Sequence, residues 1–191
     1  MSRLSLLVGL GNPGQRYART RHNAGFWFID ELCDRFGVGM SWNEKFAGWV
    51  GQFSWRGESI RLFKPGKFMN LSGGPVSSMC RYYRVAPKEM LVAHDELDFG
   101  PGMVRLKAGG GHGGHNGLRS IIEYLGAREF LRLRIGIGRP LHGSVTDYVL
   151  GMPGGEELDA IRDAIVKAAD ALPVLLDEGV EKTMTCLHAR S

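Results

Sequence analysis

The alternation of apolar and polar positions divides the chain into short strands and amphipathic helices. Apolar or alternating runs predict strands near 4–10, 47–55, 59–64, 90–94, 102–107 and 131–137. The second and third are separated by Arg56-Gly57, which reads as a hairpin turn. Helical spacing predicts helices over 24–36, 73–84, 117–125, about 156–172, and a short final one over 179–188. Phe26, Ile29, Leu32, Cys33 and Phe36 share one face of the first. Leu158, Ile161, Ile165 and Ala169 share one face of the fourth, which Pro173 is expected to end or kink. Ser72 reads as the N-cap of 73–84, and Asn116 is well placed to cap the helix after it. Strands alternating with helices predict an α/β fold in a single domain over 1–191, with a mixed β-sheet flanked by helices.

The first strand ends abruptly at Gly11-Asn12-Pro13-Gly14. Together with Gly9 this matches the spacing G-x-G-x-x-G, yet no helix opens on these glycines. The helical pattern starts about ten residues later, so a phosphate would not meet a helix N-terminus. A turn is the better reading. The segment between carries Arg16, Arg19 and Arg21, then His22-Asn23.

Composition narrows the class. With 191 residues and 43% apolar content, the chain is long enough to bury roughly 70% of its unfolded surface without disulfide or metal staples. Cys33, Cys80 and Cys186 form no C-x-x-C pair and read as reduced thiols. No apolar run approaches a signal peptide or a membrane span, so a cytoplasmic location is expected. Residues 1–140 hold 20 Lys/Arg against 11 Asp/Glu, and residues 141–191 hold 4 against 9. A basic body suits a polyanionic partner, although a merely soluble basic surface fits the count as well.

Side-chain chemistry gathers where apolar runs end. Leu10 gives way to Asn12 and His22, Phe63 to Lys64 through Asn70, and Ala93 to His94-Asp95-Glu96. The strand ending near Lys107 leads into Gly109–Gly117, a glycine island read as a backbone-exposing loop, and Asn116. If these strands are parallel neighbours, their ends share one crevice. A histidine beside a carboxylate is a general-base pair, and asparagine amides can hold a peptide backbone or an oxyanion. Taken singly, these asparagines read more readily as turn formers or caps, and Phe68 and Met69 as core or pocket wall. His112 and His115 lack a carboxylate or cysteine at matching spacing for a metal. On the strands, Arg105 and Lys107 alternate with Val104 and Leu106, and Arg132 and Arg134 with Leu131, Leu133 and Ile135. Adjacent strands would put four cations on one surface.

Four motifs in order, GLGNPG…Y…TRHNAG, FMNLSG, HDELD and GGGHGGHNGLRSI, followed by LRLRIGIGRP, resemble the bacterial-type peptidyl-tRNA hydrolases over about residues 4–188. The resemblance implies a twisted mixed sheet, a monomer, and hydrolysis of the ester between peptide and tRNA without metal or cofactor. It implies that His22 activates water, that Asp95 orients it, and that Asn12 positions the ester and separates blocked from free aminoacyl groups. Tyr17, Phe68, Asn70 and Asn116 are implied to hold the peptide and the acceptor (CCA) end, with Met69 and Asn23 close by. Lys107 and Arg134 match the phosphate-binding positions, and the family's basic pair after HDELD stands here as Arg105 and Lys107. A non-enzymatic RNA-binding protein, or a hydrolase of another acyl ester, would be the alternatives.

Overall fold

The computed structural model describes residues 3–189. Its strands are β1 (Leu6–Gly9), β2 (Ser41–Asn43), β3 (Gly48–Trp55), β4 (Glu58–Pro65), β5 (Met90–Glu96), β6 (Val104–Ala108) and β7 (Leu131–Gly136). They form one mixed sheet in the order β2-β3-β4-β1-β5-β7-β6. The four central strands β4, β1, β5 and β7 run parallel, while β2, β3 and β6 are antiparallel to their neighbours. The helices are α1 (Ala24–Phe36), α2 (Gly73–Tyr83), α3 (Asn116–Leu125), α4 (Val145–Val149), α5 (Gly155–Glu178) and α6 (Val180–His188).

Strand alternation splits the core into two layers. Leu7, Leu62, Leu91, Ala93, Leu133 and Ile135 pack with Phe28, Ile29 and Leu32 of α1 and Ile161, Ile165 and Leu172 of α5. Leu6, Val8, Phe63, Met90 and Val92 pack with Val76 and Met79 of α2 and Leu118 and Ile121 of α3. Parallel strands covered on both faces read as continuous apolar runs, which is why β1 and β5 stand out in the sequence.

Several local expectations are corrected. The helix does not end at Pro173 but runs on to Glu178 with the proline inside it, because Leu172 and Leu175 on either side are both buried against the core. The five-residue α4 and the exposed, three-residue β2 are too short for periodicity to reveal. Ser72 does not cap α2. It continues the 3-10 turn Met69–Leu71 in helical geometry and donates to the Met69 carbonyl at 2.7 Å, and Ser120 Oγ accepts the Gly73 N–H instead. Asn116 does not cap α3 either, since it already lies inside the helix. His115 is the cap, its side chain accepting from the N–H groups of Gly117 and Leu118. Finally, β6 runs antiparallel to β7, so its Lys107 end lies at the edge away from the ends of β1 and β5. The glycine loop must travel back along the sheet to reach them.

Candidate active site

The parallel strands β4, β1 and β5 end along one edge, above which lies a cleft of about 660 Å³. Glycine makes the approach possible. A Cβ on Gly25 would sit 2.3 Å from the Ala93 carbonyl oxygen, and one on Gly9 would sit 2.2 Å from that of Gly25. The start of α1 therefore lies directly on β1 and β5, and the 3-10 turn before it, Arg21–Asn23, overhangs the end of β5.

That turn delivers His22 to Asp95, with Nδ1 and Oδ2 2.8 Å apart. The other carboxylate oxygen of Asp95 accepts from His115 Nε2, also at 2.8 Å. Because Nδ1 of His115 accepts the N–H groups of Gly117 and Leu118 at 3.1 and 3.3 Å, its proton is held on Nε2, pointing at Asp95. His22 in turn donates through Nδ1, which leaves its Nε2 lone pair for the cleft. Burial alone would lower the His22 pKa, but the Asp95 charge and hydrogen bond outweigh it, and the net displacement is upward. Burial likewise disfavours the Asp95 carboxylate, yet the two imidazoles hold it well below the usual carboxylate range. His94 takes no part in this pair. Burial and the neighbouring His115 push it down to about 3, and its Nδ1 bonds to the Asp95 carbonyl.

Asn12 is fixed on three sides. Its backbone N–H donates to Asn23 Oδ1, its carbonyl accepts from Asn23 Nδ2, and its Oδ1 accepts the Met69 N–H at 2.7 Å. With Oδ1 engaged, the donor Nδ2 is the amide group left to the cleft. Asn23 thus stands behind the wall as a buried support. Phe68, 54% exposed, and Met69, which is also part of the core, both line the cleft. Asn70 and Asn116 line the cleft as well, while Tyr17 lies just outside it, edge-on to Phe68 at 6.0 Å.

The four cations are close but unequal. Arg105 lies opposite Arg134, and Lys107 opposite Arg132. Lys107 and Arg134 line the cleft, the latter paired with Glu96 at 2.7 Å, while Arg105 does not line it. Arg132 is buried and donates to the carbonyls of Gly110, Gly111 and Arg128, and burial lowers its pKa to about 10. It is the tether that folds the glycine loop back over the sheet, so the shared cationic surface is smaller than strand alternation suggests.

His115 is the residue that pattern reading missed. The available signal was a histidine immediately before a helical run, at an N-cap position. His22, Asp95 and His115 also have the spacing of a metal trio, their donor atoms all within 4.8 Å of one another. The trio does not fit an ion, because a metal would need the Nε2 lone pair of His115 and that nitrogen carries the proton. His112 accepts from the Gly114 N–H.

A family model described as peptidyl-tRNA hydrolase matches residues 6–191. The chain is 54% identical to a peptidyl-tRNA hydrolase from Methylococcus capsulatus, over 96% of this chain and 98% of that protein. It is 51% identical to one from Yersinia pestis, over 99% and 97%. A crystal structure of peptidyl-tRNA hydrolase from Acinetobacter baumannii superposes with a TM-score of 0.95 at 45% identity, covering 99% of this chain and 96% of that one.

Proposed function

The chain belongs to the peptidyl-tRNA hydrolase family, a family of hydrolases, and we propose that its cleft hydrolyses the ester joining a peptide, or another N-blocked aminoacyl group, to tRNA, returning both for reuse after premature release from the ribosome. His22 Nε2 takes a proton from water as the water oxygen attacks the ester carbonyl. Asp95 holds the imidazole in the required tautomer and offsets the charge of the imidazolium that forms. Asn12 Nδ2, with the amides of Asn70 and Asn116, donates to the peptide carbonyl and to the tetrahedral oxyanion. Collapse of that intermediate breaks the bond to the ribose oxygen, which recovers the proton from His22. Tyr17 and Phe68 offer ring faces to the acceptor end. Lys107 and Arg134, with Arg105 beside them, meet its phosphates. No step uses a metal or cofactor, and the enzyme works as a cytoplasmic monomer; among the described residues no helix is long and apolar enough to cross a membrane.

The observation that carries the proposal is the 2.8 Å hydrogen bond between His22 Nδ1 and Asp95, which leaves a lone pair facing a cleft rimmed by amides. A positioned base contributes about 10²–10⁴-fold. Purified protein incubated with N-acetyl-aminoacyl-tRNA and a chelator should release the acyl group, and His22→Ala should release it at least about 10²-fold more slowly. Equal rates for the two proteins would overturn the assignment of the base.

A further inference from the structure

The cleft has a wall that the catalytic groups do not explain. Val145, Thr146, Val149 and Leu150, on and just after α4, close the side of the cleft beside His22. A five-residue helix cannot hold its own position, and the segment leading into it is open, with Leu141 94% exposed. What fixes the wall is the residue before the base. Arg21 Nε and Nη2 donate to the two carboxylate oxygens of Glu157 on α5, at 2.6 and 3.1 Å. Its Nη1 donates to the Tyr148 carbonyl at 2.9 Å, and the guanidinium lies 4.1 Å over the Tyr148 ring. Its backbone N–H donates to the Gly151 carbonyl. On the other side Tyr148 Oη donates to the Ile137 carbonyl, just past β7. The Arg21 side chain is 12% exposed and that of Glu157 24%, so solvent does not dissolve this pair.

We propose that Arg21 is a positioning residue that locks the 145–151 wall to the turn bearing His22, fixing the width of the cleft where the acyl group of the substrate lies. The planar fork matters. One guanidinium reaches a carboxylate, a carbonyl and a ring face at once, and an ammonium cannot. The wall presents Val145 and Leu150 to the cleft, 43% and 37% exposed, and these lose their set position when the lock opens. That the group beside them is an acyl group rests on the function proposed above.

The test has one arm independent of that function. Hydrogen exchange on the free protein should show the amides of 145–151 exchanging at least about tenfold faster in Arg21→Lys, with β5 and β7 unchanged, because local opening is governed by local packing and hydrogen bonding. Glu157→Gln keeps the size of the partner and removes its charge, and should give a smaller change in the same segment. With N-acetyl-aminoacyl-tRNA, Arg21→Lys should raise KM several-fold while the acid inflection of kcat stays at its wild-type pH. Unaltered exchange over 145–151 in both variants overturns the lock. So does a displaced inflection at unchanged KM, which would mean that Arg21 acts on the base and not on the wall. Failure of the wild-type protein to cleave the ester would instead overturn the proposed function and leave the exchange arm to judge the lock.

Discussion

Replacing Asp95 with asparagine should be nearly as damaging as removing His22, for a reason visible only in the folded protein. Asp95 accepts two N–H groups, from His22 Nδ1 and His115 Nε2, each at 2.8 Å. An amide keeps one acceptor and turns the other into a donor. His115 cannot adapt, because its Nδ1 accepts the Gly117 and Leu118 N–H groups at the start of α3. The new side chain therefore turns its oxygen to His115 and its NH₂ to His22. That places a lone pair on His22 Nδ1 and a proton on Nε2, the nitrogen proposed as base. The opposite orientation sets two donors face to face at a cost of about 1–3 kcal/mol, leaving roughly one molecule in six to one in 160 in the competent tautomer. Loss of the carboxylate charge beside the forming imidazolium compounds this, and kcat should fall by about 10²–10⁴-fold.

Single-turnover release of N-acetyl-aminoacyl groups from tRNA, with enzyme in saturating excess, isolates this step from binding. The decisive comparison adds His115→Asn, which can still cap α3 but is too short to bridge to position 95. Freed of His115, the amide in Asp95→Asn can turn its oxygen to His22, and the double variant should recover at least about tenfold over Asp95→Asn alone. A double variant no faster than the single one, or an Asp95→Asn protein within tenfold of wild type, refutes the tautomer argument.

Further outcomes follow from the same geometry. With neutral His22 as the proposed base and its pKa raised, kcat/KM should fall as pH drops through an inflection above 6.5, the ordinary histidine value; Asp95 stays ionised well below that range, so an inflection near the usual carboxylate value would contradict this. Asn12→Ala should lower kcat/KM and narrow the preference for blocked over free aminoacyl-tRNA, read by competition between the two substrates, whereas unchanged discrimination would leave Asn12 a purely structural part. Lys107→Ala with Arg134→Ala should raise KM for full-length substrate and reduce the slope of log K against log salt by roughly one unit for each cation removed, with a short 3′-fragment substrate barely affected. Arg132→Ala should behave oppositely, lowering stability by about 1–3 kcal/mol in thermal or denaturant unfolding through loss of its bonds to the glycine loop, with the salt slope of the folded protein unchanged.

Apart from the short β2 and α4, the order of strands and helices, the apolar β1 and β5, the hairpin at Arg56-Gly57, and the gathering of His22, Asp95, Asn12 and Asn70 near strand ends were legible in the sequence. Buried parallel strands and amphipathic helices write themselves into local periodicity. The sequence shows Asp95 with one partner, His22, and from that alone Asp95→Asn would only misorient the imidazole. Its second partner, His115, arrives on a loop twenty residues downstream, folded back by the buried Arg132, and no local pattern encodes that return. The same holds for Arg21, whose partners Tyr148 and Glu157 lie more than a hundred residues away, and for Asn23, which is a neighbour of His22 in sequence but a buried brace for Asn12 in space. Periodicity reports which face of an element is buried. Which polar atoms meet across elements is decided by the packing of the sheet and its loops, where one hydrogen bond between distant residues fixes a tautomer that the residues alone leave undetermined.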